Sequence, residues 1–481
     1  MDHSGGSMRE INKFYIDGQW VEPAELNLID VINPATEKAA GQVALGGAAD
    51  VDAAVDAARR AFATWGQTTV DERVAVLNAI VAEYQNRMGD LAAAVTEEMG
   101  SPTGLTNAAQ VPIGLGHLMT AAAALPEYKF SDDRGSHRIV KEPVGVCGFI
   151  TPWNWPLNQV MCKVAPALAM GCTMVLKPSE VAPFSAAIVA EIFDAAGVPD
   201  GVFNLVNGDG PGVGNALASH PGIDMISFTG STRAGIEVAK SAAPSVKRVA
   251  QELGGKSPNV ILDDDKFAEN VAGGFATMML NSGQSCNAPS RMLIPSHRID
   301  EAAEVIKATA PNFTVGDPTT GVMLGPVVSE AQFDKIQGLI ERAIADGATA
   351  VVGGPGRPDD LPTGYYVKPT VFTNVTNDME IARTEVFGPV LVIIGYDSVD
   401  EAIKIANDTE YGLAGYVSGA DIDEVRRIGS QIRAGSISLN GAQVDPVAPF
   451  GGYKKSGNGR EWGDYAFDEF LEVKSLLGYS A

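Results

Sequence analysis

Cysteine is scarce in this chain of 481 residues: Cys147, Cys162, Cys172 and Cys286 are the four, with no Cys-x-x-Cys pairing. That excludes a disulfide scaffold and a thiol-rich metal or redox site, and it suits a reducing compartment. The five histidines, at positions 3, 117, 137, 220 and 297, show no ligand spacing, and His-Glu-x-x-His is missing, so no metal is expected. Gly-x-Ser-x-Gly is missing too, which removes the serine-hydrolase elbow. Basic residues are outnumbered, 35 against 59 acidic ones, for a formal net charge of −24. Such a charge repels polyphosphate and anionic lipid at long range, so nucleic acid and membrane surfaces are poor partners. The most apolar long stretch, Val160 to Leu176, carries Lys163 and Pro166. It falls short of the ~20 apolar residues that a bilayer requires, and no membrane span is expected. Met1 to Ser7 has neither a basic n-region nor an apolar h-region and reads as an appended segment ahead of a start at Met8. The expectation is a cytoplasmic protein.

With 45% apolar and 20% charged residues, the chain has ordinary globular usage and length for several domains or a large α/β unit. Between residues 50 and 98, Val51, Val55, Ala58 and Phe62, then Val74, Leu77 and Ile80, recur at helical spacing. From Val144 the texture becomes short β-branched runs, each followed by a turn and a helical pattern. This predicts a doubly wound parallel sheet with strands at Val144 to Ile150, Thr173 to Lys177, Val202 to Val206, Met225 to Phe228, Arg248 to Leu253 and Asn259 to Leu262. A second α/β series follows Cys286, with strands at Val390 to Ile394 and Ser436 to Leu439. Tyr128 to Lys141 and Phe470 to Leu477 are polar and strand-prone, and are expected to pair as an outlying sheet of the kind that mediates subunit contact.

Several segments have the residues for chemistry. Asn207-Gly-Asp-Gly-Pro-Gly-Val-Gly214 lies between a strand and a helix, where a dinucleotide phosphate sits, yet Val213 breaks the Gly-x-Gly-x-x-Gly fingerprint. Ser227-Phe-Thr-Gly-Ser-Thr-Arg-Ala-Gly235 is a better anion seat but fails the P-loop pattern, so nucleoside-triphosphate chemistry is disfavoured. Lys177 and Glu180 stand at a strand's carboxyl edge within reach of a ribose, although an ordinary capped helix start explains them equally well. Cys147 and Cys172 fall in strand patterns and Cys162 in an apolar helical run, the setting of inert buried thiols. Cys286, in a glycine-containing turn, is the nucleophile candidate. Glu252 ends a strand 34 residues earlier, where a carboxylate can activate water. Asn154, between Trp153 and Trp155 in Pro152-Trp-Asn-Trp-Pro156, is a candidate oxyanion donor.

In order and spacing these segments resemble the NAD(P)-dependent aldehyde dehydrogenase superfamily, from about Phe14 to Val473. The resemblance rests on seven motifs in register: Thr-Pro-Trp-Asn154-Trp-Pro, Lys177-Pro-Ser-Glu180, Phe228-Thr-Gly-Ser-Thr, Gln251-Glu252-Leu-Gly-Gly-Lys, Gly283-Gln-Ser-Cys286, Glu385-Val-Phe387-Gly-Pro and Pro449-Phe-Gly-Gly-Tyr-Lys-Lys-Ser-Gly. It implies an α/β fold with three parts. A Rossmann-type dinucleotide-binding domain would span 8–122 and 145–253, an α/β catalytic domain 254–467, and a small β oligomerisation extension 123–144 and 468–481, in a homodimer or homotetramer.

The implied activity is oxidation of an aldehyde to the acid through a thiohemiacetal and a thioester on Cys286. Asn154 and the Cys286 N–H would hold the oxyanion, and Glu252 would activate the hydrolytic water. Lys163 and Glu461 match a proton relay, or equally a structural ion pair. The resemblance places Lys177 and Glu180 at the adenosine ribose, Gly210, Gly214, Phe228, Gly230 and Ser231 at the adenosine and pyrophosphate region, and Glu385 and Phe387 at the nicotinamide ribose. It adds Pro152, Trp153, Ser179, Thr229 and Leu253 as further cofactor-binding residues. Glu180 favours NAD, and Lys177 leaves NADP open. Trp155, Gln159, Val444 and Phe450 would line the substrate pocket, with Gln159, Val444 and Asp445 departing from a bulkier apolar pattern. Arg291 is a candidate for binding a semialdehyde carboxylate. The alternatives are a CoA-acylating or semialdehyde-specific enzyme, or a catalytically silent dinucleotide-binding protein on the same fold.

Overall fold

The computed structural model describes residues 8–480, so the reading of Met1 to Ser7 lies outside it. Strands Val146–Ile150 and Thr173–Lys177 are buried at every position. Their continuous apolar runs reflect a parallel sheet covered on both faces. They sit in an eight-stranded sheet ordered Gly457–Asn458, Arg248–Glu252, Met225–Thr229, Val146–Ile150, Thr173–Lys177, Phe203–Leu205, Phe14–Ile16 and Gln19–Val21. The five central strands run parallel and the outer ones antiparallel.

Val146–Ile150 pairs with Thr173–Lys177 on one side and with Met225–Thr229 on the other, so the winding direction reverses there. A reversal leaves a crevice beyond the carboxyl ends of the two strands, the usual ligand position of an open α/β sheet. Pro152 to Asn154 and Gly230 to Ser231 border it.

The second sheet has seven strands, ordered Thr349–Val352, Thr370–Thr373, Val390–Tyr396, Arg291–Pro295, Pro258–Ile261, Ala414–Ser418 and Ser436–Leu439. Only Thr349–Val352 is antiparallel to its neighbour. Tying the lobes together, Gly457–Asn458 leaves the second lobe to pair with Arg248–Glu252. The two polar stretches do pair: Leu471–Leu476, His137–Pro143 and Ser131–Arg134 form an antiparallel sheet. Arg9–Ile11, Lys38–Ala44 and Leu28–Asn33 make a further small one.

The helical pattern of residues 50 to 98 resolves into Ala48–Trp65, Val70–Asn86 and Met88–Met99. Thr69 and Glu72 form a reciprocal capping box at the second, and Gly100 ends the third with φ of 73°. Helix Pro156–Ala169 is buried along its whole length and lies under both the crevice and the second lobe.

Two expectations need correction. Cys172 precedes its strand by one residue instead of lying within it. The run Thr103–Glu127 is long and apolar enough, by length and composition, to cross a membrane, which the focus on Val160 to Leu176 passed over. Its packing against Pro156–Ala169 and its buried polar residues Gln110 and His117 mark it as a core helix.

Candidate active site

Three consecutive left-handed residues, Asn281 (φ 54°), Ser282 (φ 53°) and Gly283 (φ 70°), end helix Phe267–Met279 in a tight turn that presents Cys286. At Gly283 a Cβ would collide with the Gly388 carbonyl, so glycine is what lets this turn touch the Glu385-to-Pro389 segment. The polar groups of the turn are held from below. Asn281 Nδ2 donates to the carbonyls of Asn154 (2.9 Å) and Gln284 (3.2 Å), and the Val328 N–H donates to Gln284 Oε1 (3.0 Å). Gln110 Nε2 donates to Asn154 O (3.1 Å) and Asn281 Oδ1 (3.3 Å). Gln110 thus couples the Asn154 and Cys286 loops. It sits in a π-helical turn, Thr106–Gln110, that no motif announces.

Cys286 is half-buried and stands on the shared wall of two cavities. One, of about 210 Å³, is lined by Pro152, Trp153, Asn154, Thr229, Gly230, Ser231, Leu253, Glu385 and Phe387 and lies at the sheet's reversal point. The other, of about 140 Å³, is lined by Trp155, Asn158, Gln159, Tyr416, Val444, Phe450 and Trp462 among others. The Trp-Asn-Trp bend divides its indoles between them. Trp153 meets Phe387 edge-on at 5.4 Å in the first, while Trp155 Nε1 donates to Ser285 Oγ at 2.8 Å beside the second.

Asn154 Nδ2 spends one proton on the Gln284 carbonyl (3.0 Å) and keeps a second. The Cys286 backbone N–H donates to no carbonyl among the described residues. The Asn154 amide and Cys286 line the same cavity, a placement that suits an oxyanion. Burial, then the charges of Glu385 and Glu252, push the Cys286 thiol up. Burial, then Glu461, push the Glu252 carboxyl well up as well. Among the described residues both Glu252 oxygens lack a hydrogen-bond partner, and Oε1 lies where a Cβ on Gly451 would stand only 2.8 Å away. Lys163 pairs with Glu461 and also donates to Ser227 Oγ (3.1 Å). Burial depresses the Lys163 ammonium, but Glu461, Cys162 and Glu252 together outweigh this and its pKa is raised.

Along the rest of the crevice, Lys177 Nζ donates to the carbonyls of Gly208 (2.6 Å) and Pro178 (2.7 Å) and to Glu180 Oε2 (3.2 Å). All three protons are used, so the free ammonium that would compensate a 2′-phosphate is missing. The glycine run is a π-helical turn, Gly210–Gly214, capped by Asp209, which accepts from Gly212 N–H at 2.6 Å. Ser231 caps the next helix, accepting from Ala234 N–H. The ring of Phe228 lies against Gly230, Thr229 Oγ1 is buried without a partner among the described residues, and Ser179 Oγ accepts from Val181 N–H. Glu385 is fixed by the Gly255 N–H (2.9 Å), and Phe387 takes φ of 60° to reach Trp153.

Residues 20–476 match the sequence profile of the Aldehyde dehydrogenase family. The chain belongs to the aldehyde dehydrogenase family. A 3-succinoylsemialdehyde-pyridine dehydrogenase from a Pseudomonas species is 55% identical over 474 residues, covering 98% of this chain and 99% of the relative. A crystal structure of aldehyde dehydrogenase C from Pseudomonas syringae, a cysteine-to-alanine variant with NAD+ and octanal, superposes with a TM-score of 0.97. It is 50% identical, covering 98% of this chain and 99% of that one. An aldehyde dehydrogenase from Mycobacterium tuberculosis in complex with NAD+ gives a TM-score of 0.95 at 41% identity, covering 98% and 99%.

Within this aldehyde dehydrogenase, three sequence readings change. Arg291 does not face the substrate cavity. It is fully buried and donates to the carbonyls of Lys256, Ile405 and Ala406 and to Asn377 Oδ1, a structural cross-brace of the second lobe. Asp445 lies outside the cavity lining and accepts from Val447 N–H in a turn. Cys162 is not an inert apolar thiol, since its Sγ donates to Glu461 Oε2 at 3.2 Å. Sequence reading also missed Asn158 and Trp462. They lie in a helix and a loop whose patterns look like ordinary packing until the two lobes meet.

Proposed function

We propose that the protein oxidises an aldehyde to the carboxylic acid with NAD+ and water, through a covalent adduct on Cys286. The observation that carries this reading is the position of Cys286 on the wall common to two cavities, with an unspent Asn154 proton and its own free N–H beside it. One cavity suits a pyridinium ring and its ribose, between Trp153, Phe387, Leu253 and the clamped Glu385. The unpartnered Thr229 Oγ1 and the side-chain-free Gly230 leave room and polarity for the dinucleotide beyond. Glu180, fixed by Lys177, would hold the adenosine ribose hydroxyls, with Ser179 adjacent, and Gly210, Gly214, Phe228 and Ser231 the region between. The committed Lys177 ammonium and the Glu180 carboxylate both favour NAD over NADP.

In the mechanism, the Cys286 thiol passes its proton to water and the sulfur bonds the aldehyde carbon. The Asn154 amide and the Cys286 N–H take up the charge on oxygen, at roughly 3 kcal/mol per donor. NAD, when bound, supplies the hydride acceptor that turns this thiohemiacetal into a thioester. Glu252 leaves its rest beside Gly451 and accepts a proton from water. The hydroxyl bonds the acyl carbon, the C–S bond breaks, and the acid and the Cys286 thiolate result. A carboxylate held protonatable by burial is well suited to that task. The Lys163–Glu461 pair lies behind Glu252 and would return its proton toward solvent.

Among the described residues the substrate cavity is lined by no Lys, Arg or His, and Glu461 is its one acid. An uncharged aldehyde with an apolar or aromatic body is therefore favoured over an ω-carboxylated one. The octanal bound by the Pseudomonas syringae relative is in keeping with this.

We further propose that 8–122 with 145–253 forms the dinucleotide-binding domain and 254–467 the catalytic domain. Segments 123–144 and 468–481 would form the oligomerisation extension of a cytoplasmic homodimer or homotetramer. The unpaired edge of Leu471–Leu476 and the exposed Val473 and Leu477 support that role.

Replacing Cys286 with Ala tests the function. Wild type should form NADH and acid from aliphatic or aromatic aldehydes, and the variant should form neither while still binding NAD. Equal NADH formation by the two proteins would overturn the assignment.

A further inference from the structure

Resting on the aldehyde-oxidising reading, we infer that Asn158, oriented by His117, donates a hydrogen bond to an acceptor in the body of the substrate. The preferred class is then aldehydes with a neutral carbonyl oxygen several bonds from the reacting carbon. Asn158 lies on the buried helix Pro156–Ala169, is 7% exposed, and lines the substrate cavity. Its Oδ1 is 2.7 Å from His117 Nε2. With Oδ1 toward the ring the imidazole donates from Nε2, and the amide can turn over only if the ring proton also moves to Nδ1. Asn158 Nδ2 then has both protons free, with no acceptor for it among the hydrogen bonds of the described residues.

The imidazole is itself fixed. It is buried on helix Val111–Ala124, with its ring 5.2 Å from Trp462, which in turn stacks on Phe450 at 4.7 Å and 18°. Burial pulls the His117 pKa down to about 4, so the ring is neutral at physiological pH. The cavity thus has an aromatic wall and, beside it, a donor with one orientation. Gln159 adjoins Asn158 on the same helix and borders both cavities. A buried donor without a partner disfavours a wholly hydrocarbon substrate, because nothing replaces the water it must give up.

Octanal, 4-oxooctanal and 5-oxooctanal have the same chain length and differ only in the acceptor, so a comparison of their kcat/KM values tests the inference. Wild type should favour at least one ketoaldehyde over octanal tenfold or more. In Asn158→Leu and Asn158→Ala that ratio should fall to about one, and in His117→Phe, which frees the amide to rotate, it should fall part of the way. A ratio is independent of how much of each variant folds. A wild-type ratio at or below one for both ketoaldehydes would overturn the inference, as would a preference that survives both Asn158 substitutions. Oxidation of octanal would continue in either case, whereas turnover of none of the three would overturn the aldehyde-oxidising reading itself.

Discussion

Cys162 and Glu461, separated by 299 positions in sequence, meet at 3.2 Å, with the thiol donating to Oε2 while Lys163 holds Oε1. Two neighbours on one buried helix therefore grip both oxygens of a single carboxylate at the edge of the substrate cavity. Removing each partner should have a different cost. Glu461→Gln leaves the Lys163 ammonium buried and uncompensated, a loss of about 3–5 kcal/mol. Cys162→Ala removes one hydrogen bond to a charged group, about 1.5–3 kcal/mol. Urea unfolding midpoints should rank wild type above Cys162→Ala above Glu461→Gln, and the reverse order of the variants would refute the two-sided grip.

Glu252 should dominate the pH dependence of thioester hydrolysis. Because burial and Glu461 raise its pKa, the base form is scarce at low pH and grows as pH rises through the raised value. Steady-state kcat should accordingly climb on the alkaline side with a single proton. In Glu252→Gln, one NADH per site should appear rapidly and hydrolysis should then slow by roughly 10²–10⁴. A flat wild-type profile would remove Glu252 from that step.

Ribose selectivity should respond to Glu180. Replacing it with Ser removes a negative charge and releases one Lys177 proton from its 3.2 Å contact. The ratio of kcat/KM for NADP over NAD should rise tenfold or more. An unchanged ratio would show that discrimination lies elsewhere in the crevice.

Stability should carry a signature of Glu98, which is fully buried and accepts from the Phe184 N–H (2.5 Å), the Ser185 N–H (3.3 Å) and Ser185 Oγ (2.5 Å) at the start of helix Phe184–Ala195. Burial pushes its pKa up to about 7 from 4.5, despite those hydrogen bonds. The folded state thus binds the proton more tightly than the unfolded chain. The associated stability is complete below about pH 4.5 and is lost as pH rises through about 7, about 3 kcal/mol in all. Thermal midpoints of wild type should fall over that window relative to Glu98→Gln. Parallel curves would show that Glu98 does not titrate there.

Sequence alone determined the alternation of strands and helices, because a buried parallel strand must be apolar throughout and a crossover helix must be amphipathic, and both patterns are local. It also singled out Cys286, Asn154 and Glu252. A thiol in a glycine turn and an amide between two indoles stand out locally, whereas an acid before two glycines gains its weight only from the seven motifs read together. What only the tertiary structure decided is where side chains from distant segments point. Arg291, five residues after Cys286, faces the second lobe's carbonyls and not the cavity beside that cysteine. Gln110, His117, Asn158 and Cys162, in helices that look like plain packing, supply polar support to the site. The physical reason is that a helical period encodes which face is buried but not what it is buried against. That is settled only when the two sheets close around Pro156–Ala169 and each buried polar group must find a partner or a ligand.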